Sequence, residues 1–306
     1  MSKLSMPLVL LAFAAPTTAS ASTLSVGPAT VLDSKVREIS ITTTGSGIFA
    51  LPQDRARGVL RRYEPTTLAP TAGWPSPFVI KGRTTGFAFQ KSFVAATPSG
   101  DVVVLDPNRG RLTEVDGKIG KRRWQVSTNR IDKRGYRLAA GDLAVDADGK
   151  IYVHDNERGG LVRFTSRGKY DGVRRLSSKA LIRRIAMRDG RVALLAGGSS
   201  WGAATLALAG TAGSKAPRTV ATVGTRPGES VVDVALGSKG RPRVLISTTA
   251  EKRIETLDPF TGAIVDTATL PSATTARPTF FELDARDRPL VADGYRLTIY
   301  DVTGAP

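Results

Sequence analysis

The sequence predicts an all-β fold: a six-bladed β-propeller with four-stranded blades, its ring closed by the N-terminal strand. Three observations carry that expectation. Short apolar stretches alternate with Gly and Asp turns, and long helical periodicity is absent. The pattern recurs at spacings of about 53, 49, 41, 50 and 48 residues, close to the roughly 40–50 of a four-stranded blade. The chain also ends soon after the third strand of its last unit, so the segment from Leu24 to Leu32 is expected to supply the missing outer strand.

The elements follow in order. Lys3, the apolar run from Leu8 to Ala15 and the small residues Ala19, Ser20 and Ala21 make residues 1–21 an expected signal peptide, cleaved near Ala21. Its apolar core is too short to span a bilayer, and no later run of 18 apolar residues follows, so no membrane span is expected. Residues 22–306 form one expected propeller domain, secreted to the extracellular space or periplasm as a monomer. Ile39 to Ile41, Gly47 to Leu51 and Val59 to Tyr63 begin the repeat. Its clearest copy runs from Gly141 through Val145, turns at Asp148 and Gly149, and continues through Ile151, Tyr152 and Val153 to Phe164. Asp148-Gly149 suits a tight hairpin, because glycine accepts the positive φ such turns need. A lone blade cannot bury both faces, so blades must stack around an axis.

Composition narrows the chemistry. The chain has 306 residues, 44 Lys plus Arg against 27 Asp plus Glu, a formal charge of +17, one histidine and no cysteine. Disulfides, thiolate zinc sites, Fe–S clusters and cysteine nucleophiles are excluded. Multi-histidine metal sites within one chain are excluded too.

The stretch from Asp148 to Asp155, with Arg158, Val162, Phe164 and Gly168, resembles an NHL repeat and is similar to a blade of the SMP-30/gluconolactonase-like propellers. Val291, Ala292 and Asp293 with Arg296, Leu297, Ile299, Tyr300 and Asp301 repeat the resemblance. In enzymatic members the resemblance implies a funnel metal site made by an early Glu, an Asn before Asp, and an Asp in Pro-Asp-Gly. Here Glu38 matches, while the other positions read Gly141-Asp142 and Pro278-Thr279-Phe280. A Ca²⁺ ion wants six to eight oxygens, so the departure weakens the lactonase reading. Glu38 and Asp142 remain its candidate metal residues, and no cofactor is expected otherwise.

Gly198-Ser199-Ser200-Trp201-Gly202 matches a nucleophile-elbow pattern, but the lone His154 lies upstream and the segment aligns with a blade turn. Asp106, Asp155 and Asp293 share the end of a blade's second strand, as Asx-turn residues or as a ligand-binding rim with His154, Arg158 and Arg296. Residues 109–191 hold 22 Lys plus Arg against 10 Asp plus Glu. Within them Lys121, Arg122, Arg123, Trp124, Lys133 and Arg134 form a candidate polyanion-binding cluster, with Trp124 available to stack on a sugar. No nucleic-acid-binding motif accompanies them. The expected function is a secreted module that binds a ligand or protein partner, the leading candidate being an acidic polysaccharide or cell-wall polymer. The alternative is a lactonase-like hydrolase using Ca²⁺ or another divalent cation.

Overall fold

The computed structural model describes residues 20–32, 38–53, 57–74, 79–81, 91–132, 135–176, 182–197, 202–210, 217–271, 278–293 and 296–303. Apart from one short 3-10 turn at Ser238–Gly240, the regular structure among these is all strand. The chain opens with β1 (Ser20–Val31). Four sheets then stand apart as separate blades. The first holds β2 (Glu38–Thr44), β3 (Gly47–Gln53), β4 (Arg57–Val59) and β6 (Val79–Lys81), with β5 (Arg61–Tyr63) paired to β3. The second runs β7 (Phe93–Ala96), β8 (Val102–Asp106), β9 (Arg111–Val115) and β10 (Arg122–Ser127). The third runs β11 (Ala140–Val145), β12 (Ile151–Asp155), β13 (Gly160–Phe164) and β14 (Tyr170–Arg175). The fourth runs β15 (Ile182–Arg188), β16 (Arg191–Ala196), β17 (Ala204–Gly210) and β18 (Arg218–Val223).

The remaining strands depart from six separate sheets. β19 (Ser230–Leu236), β20 (Pro242–Ser247), β21 (Lys252–Leu257) and β22 (Ile264–Thr269) join β23 (Pro278–Leu283), β24 (Pro289–Asp293) and β25 (Arg296–Thr303) in one eight-stranded sheet. The link is β1, which pairs antiparallel with β25 and parallel with β22. The parallel register sets Ser20 against Asp266 and Ala21 against Thr267, so the expected cleavage point falls inside a strand.

Burial explains the layering. Every residue of β8 and β12 is buried, because a second strand has neighbours on both edges and a sheet on both faces. The fourth strands β10 and β14 alternate exposed and half-buried residues, as edge strands facing solvent do. Apolar clusters fill the gaps between successive sheets; one joins Ile39 and Ile41 of β2 to Phe280, Leu290 and Leu297. The first strands pack in the order β2, β7, β11, β15, β19, β23, and β23 packs against β2. Hairpin turns are tied by aspartates: Asp146 Oδ1 accepts from the N–H groups of Asp148 and Lys150, while Gly149 takes φ +77°. Trp74, in the proline-rich connection after β5, stacks edge-on to Phe49 and donates to the Gly117 carbonyl.

Candidate functional site

The first strands of the repeats surround a cavity of about 340 Å³, lined by β2, β7, β11, β15, β19 and β23 and by their first turns. Four of these strands carry a bulge near their start, so the next residue faces its partner one position out of step. The residues after the bulges are Asp142, Arg184, Asp233 and Phe280. Ser40 Oγ accepts from the Val94 N–H at 3.0 Å, Asp142 Oδ2 from Ile185 at 2.8 Å and Asp233 Oδ2 from Phe281 at 2.9 Å. Every other first strand therefore accepts a backbone hydrogen bond from its neighbour through a side chain.

Arg184 occupies the gap between the two aspartates. Its Nη2 donates to Asp233 Oδ2 at 2.9 Å, its Nη1 lies 3.7 Å from Asp142 Oδ1, and the guanidinium sits 4.5 Å from the Phe280 ring centroid. All three charged side chains are buried. Burial works against the Arg184 charge, but Asp233 and Asp142 outweigh it and hold its pKa above the ordinary arginine value. Burial pushes the Asp142 carboxyl up, with Arg184 and the backbone N–H groups of Ile185 and Leu143 opposing. Glu282, two residues beyond Phe280, also lines the cavity. Burial pushes its carboxyl up to about 7, against the Leu283 N–H that donates to Oε1. The cavity thus offers a fixed guanidinium and one carboxyl that can hold or release a proton near neutrality.

A divalent cation does not fit this donor set. The position between Asp142 and Asp233 is filled by a guanidinium, and the resident charge repels a second cation. Glu38 starts β2, but its side chain lies outside the described residues, as do Ser199, Ser200, Lys133 and Arg134. Among the described residues no three His, Asp or Glu side chains gather as a metal-ion site.

The expected rim residues lie away from this cavity. Asp106 accepts from the Arg109 N–H, Asp155 from Glu157 and Arg158, and Asp293 from Arg296: each ends its second strand in a local turn. Burial raises the pKa of Asp106 and Asp155. His154 is buried in the face that packs toward the fourth sheet, and burial lowers its pKa to about 4 against a smaller opposing effect of Asn156. The Arg158 guanidinium stacks 3.5 Å from the Tyr136 ring centroid, and the Arg296 side chain is exposed. Asp106, Asp155 and Asp293 therefore share a repeat position without converging.

The basic cluster is rearranged. Arg123 pairs with Asp116 at 2.8 Å and Asp101 at 3.1 Å. Trp124 is half-buried, and its ring covers Gly168 of the next sheet so closely that a Cβ there would lie 2.7 Å from it. It is a packing residue, not a free stacking surface. Its contact instead sets the turn carrying Arg167 and Lys169 against β10, the strand that begins at Arg122 directly after Lys121. All four are exposed, and among the described residues none makes an ion pair.

The sheets and their axial cavity define the class as a β-propeller. No family model matches the chain, and no curated protein does. Solved structures do. A streptogramin B lyase is 12% identical, with 92% of this chain and 97% of that one covered at a TM-score of 0.56. The β-propeller domain of Cps50 (Swd1) from Myceliophteria thermophila is 10% identical, with 92% and 100% covered at 0.57. The WD40 repeats of RRP9 are 11% identical, with 90% and 99% covered at 0.56. At such identities the likeness is one of fold, and these folds include both an enzyme and WD40 propellers.

Arg184, Asp233, Phe280 and Glu282 were not singled out by the sequence. A signal was present: charged residues interrupt otherwise apolar first strands at equivalent places in the repeat, as in Val231-Val232-Asp233-Val234-Ala235.

Proposed function

We propose that this chain is an exported, monomeric β-propeller module that binds an acidic polymer through the outer turns of its second and third blades. The carrying observation is the cluster of Lys121, Arg122, Arg167 and Lys169, gathered by the Trp124–Gly168 contact and left without acidic partners among the described residues. Export is supported by the leader pattern ending at Ala21. The NHL or SMP-30-like six-bladed reading is supported by the cyclic packing of first strands and by β1 lying against β25. On this reading β1 completes the last blade and closes the ring. The lactonase-like hydrolase alternative, with Glu38 and Asp142 as its metal residues, is disfavoured by the Arg184 guanidinium, which lies 3.7 Å from Asp142 Oδ1 and repels a second cation there.

The test is binding of the purified chain to polygalacturonate between 50 and 200 mM salt. Affinity is expected to fall at least about tenfold over that range. Replacing Lys121, Arg122, Arg167 and Lys169 together by Gln should remove most of the binding and flatten the salt dependence. Binding that is absent, or that ignores salt, would overturn the proposal.

A further inference from the structure

Trp124 leaves the basic surface without the aromatic platform expected of it, yet among the described residues one large aromatic side chain is mostly exposed. Phe260 is 67% exposed on the turn between β21 and β22. Single exposed apolar residues are common and carry no meaning alone. What sets this one apart is how firmly its backbone is held. Asp258 Oδ1 accepts from the Phe260 N–H at 2.9 Å, the Thr261 N–H at 2.7 Å and the Thr261 hydroxyl at 2.9 Å. From β18 in the neighbouring blade, Arg218 donates to both preceding carbonyls, Nη1 to Phe260 and Nη2 to Pro259, each at 2.7 Å. Gly262, at φ +75°, lets the turn approach that strand: a Cβ there would lie 2.1 Å from the Val220 carbonyl oxygen. The ring is therefore presented on a rigid mount, so little ordering is left to oppose binding.

The surroundings are cationic. The Arg191 guanidinium lies 5.7 Å from the Phe260 ring centroid and reaches the carbonyls of Lys239 and Gly240 in the first turn of the fifth repeat. Lys239, Arg241 and Arg218 are exposed there. Asp258, two residues before Phe260, is engaged by its own turn, whose Thr261 and Phe260 N–H groups hold its carboxyl below the usual range. The turn joins a third to a fourth strand, as the turns carrying Lys121 and Arg167 do, and so lies at the same end of the sheets.

We propose that Phe260 is a stacking site for a sugar ring of an acidic polysaccharide, with Arg191, Lys239 and Arg241 reading the ring's anionic substituent. The apolar C–H face of a pyranose matches an exposed aromatic ring, and a uronate carboxylate matches the flanking donors. A polyanion without rings would use the charges and leave Phe260 idle. This inference names the polymer class and rests on the polyanion reading above.

Two probes separate the contributions: galacturonate oligomers and inorganic polyphosphate of similar charge, each titrated calorimetrically against wild type, Phe260→Ala, Phe260→Trp and the double variant Lys239→Gln/Arg241→Gln. Phe260→Ala should weaken the uronate about tenfold and change polyphosphate less than twofold, and Phe260→Trp should restore the uronate. The double variant should weaken both and lower the salt slope. Equal loss for both probes, or none for the uronate while salt-dependent binding persists, overturns the Phe260 site alone. If wild type binds neither probe, the polyanion reading fails with it. Vesicles of phosphatidylglycerol form a control arm: Phe260-dependent binding to them in preference to the oligomers would reassign the ring to a lipid surface and overturn the proposal.

Discussion

The axial cavity and the outer turns use charge in opposite ways. Among the described residues, six carboxylates and two guanidiniums line the cavity of a chain whose formal charge is +17. Most of those acids are committed: Asp142 and Asp233 to Arg184 and to neighbouring backbone, Asp146 to its turn and the Tyr152 hydroxyl, Asp284 to Arg288. On the outer turns Lys121, Arg122, Arg167 and Lys169 face water. Paired buried charges maintain a shape, whereas unpaired exposed ones remain free for a partner. The net charge of the chain reports only the second population.

The largest effect is expected at Arg184, which ties the cavity strands together. Replacing it by Met leaves two buried carboxylates without their cation, a loss of about 3–5 kcal/mol. The thermal midpoint should fall by about 5–8 °C, by differential scanning fluorimetry. A fall below about 2 °C would mean the clamp is not what holds the inner strands.

The next effect is a pH dependence with two opposed parts. Glu282 is raised from 4.5 to about 7, so the native chain keeps a proton that the unfolded chain has released. That contribution is full below pH 4.5 and is lost as pH rises to about 7, a change of up to about 3 kcal/mol. His154 is lowered from 6.5 to about 4, so its contribution is full above pH 6.5 and is lost as pH falls toward 4. Between pH 4.5 and 6.5 the two slopes oppose each other. Glu282→Gln should therefore leave a stability that climbs with pH, and His154→Gln one that declines, in urea unfolding at pH 4.8 and 6.3. Parallel profiles for the two variants would contradict both assignments.

The smallest effect tests the outer turns. Changing Lys121, Arg122, Arg167 and Lys169 to Gln should shift stability by less than about 0.5 kcal/mol, read as a thermal midpoint within about 2 °C of wild type. A larger drop would show that these charges serve the fold after all.

The strands and turns were legible because their signals are local. The Asp148-Gly149 hairpin, the turns that receive Asp106, Asp155 and Asp293, and the apolar second strands all follow from adjacent residues. Two features were not. The bulges before Asp142, Arg184, Asp233 and Phe280 shift a strand by one residue, and alternation alone does not reveal which residue is skipped. Trp124 read as a free aromatic among basic residues because its cover, Gly168, belongs to the next sheet. Phe260 carries no local signal for the converse reason: its clamp comes from Arg218 in another blade. Contacts between blades decide which side chains are available, and those contacts lie tens of residues away in the chain.

The position of β1 has a consequence in time. Ser22 donates through its N–H and hydroxyl to Asp266, and Thr23 aligns with Thr303, across nearly the whole length of the chain. β1, the first of the described strands in chain order, is therefore among the last to find its partners. Until β22 and β25 have been made, β1 has nothing to pair with, and contacts of such long sequence separation make for slow final assembly.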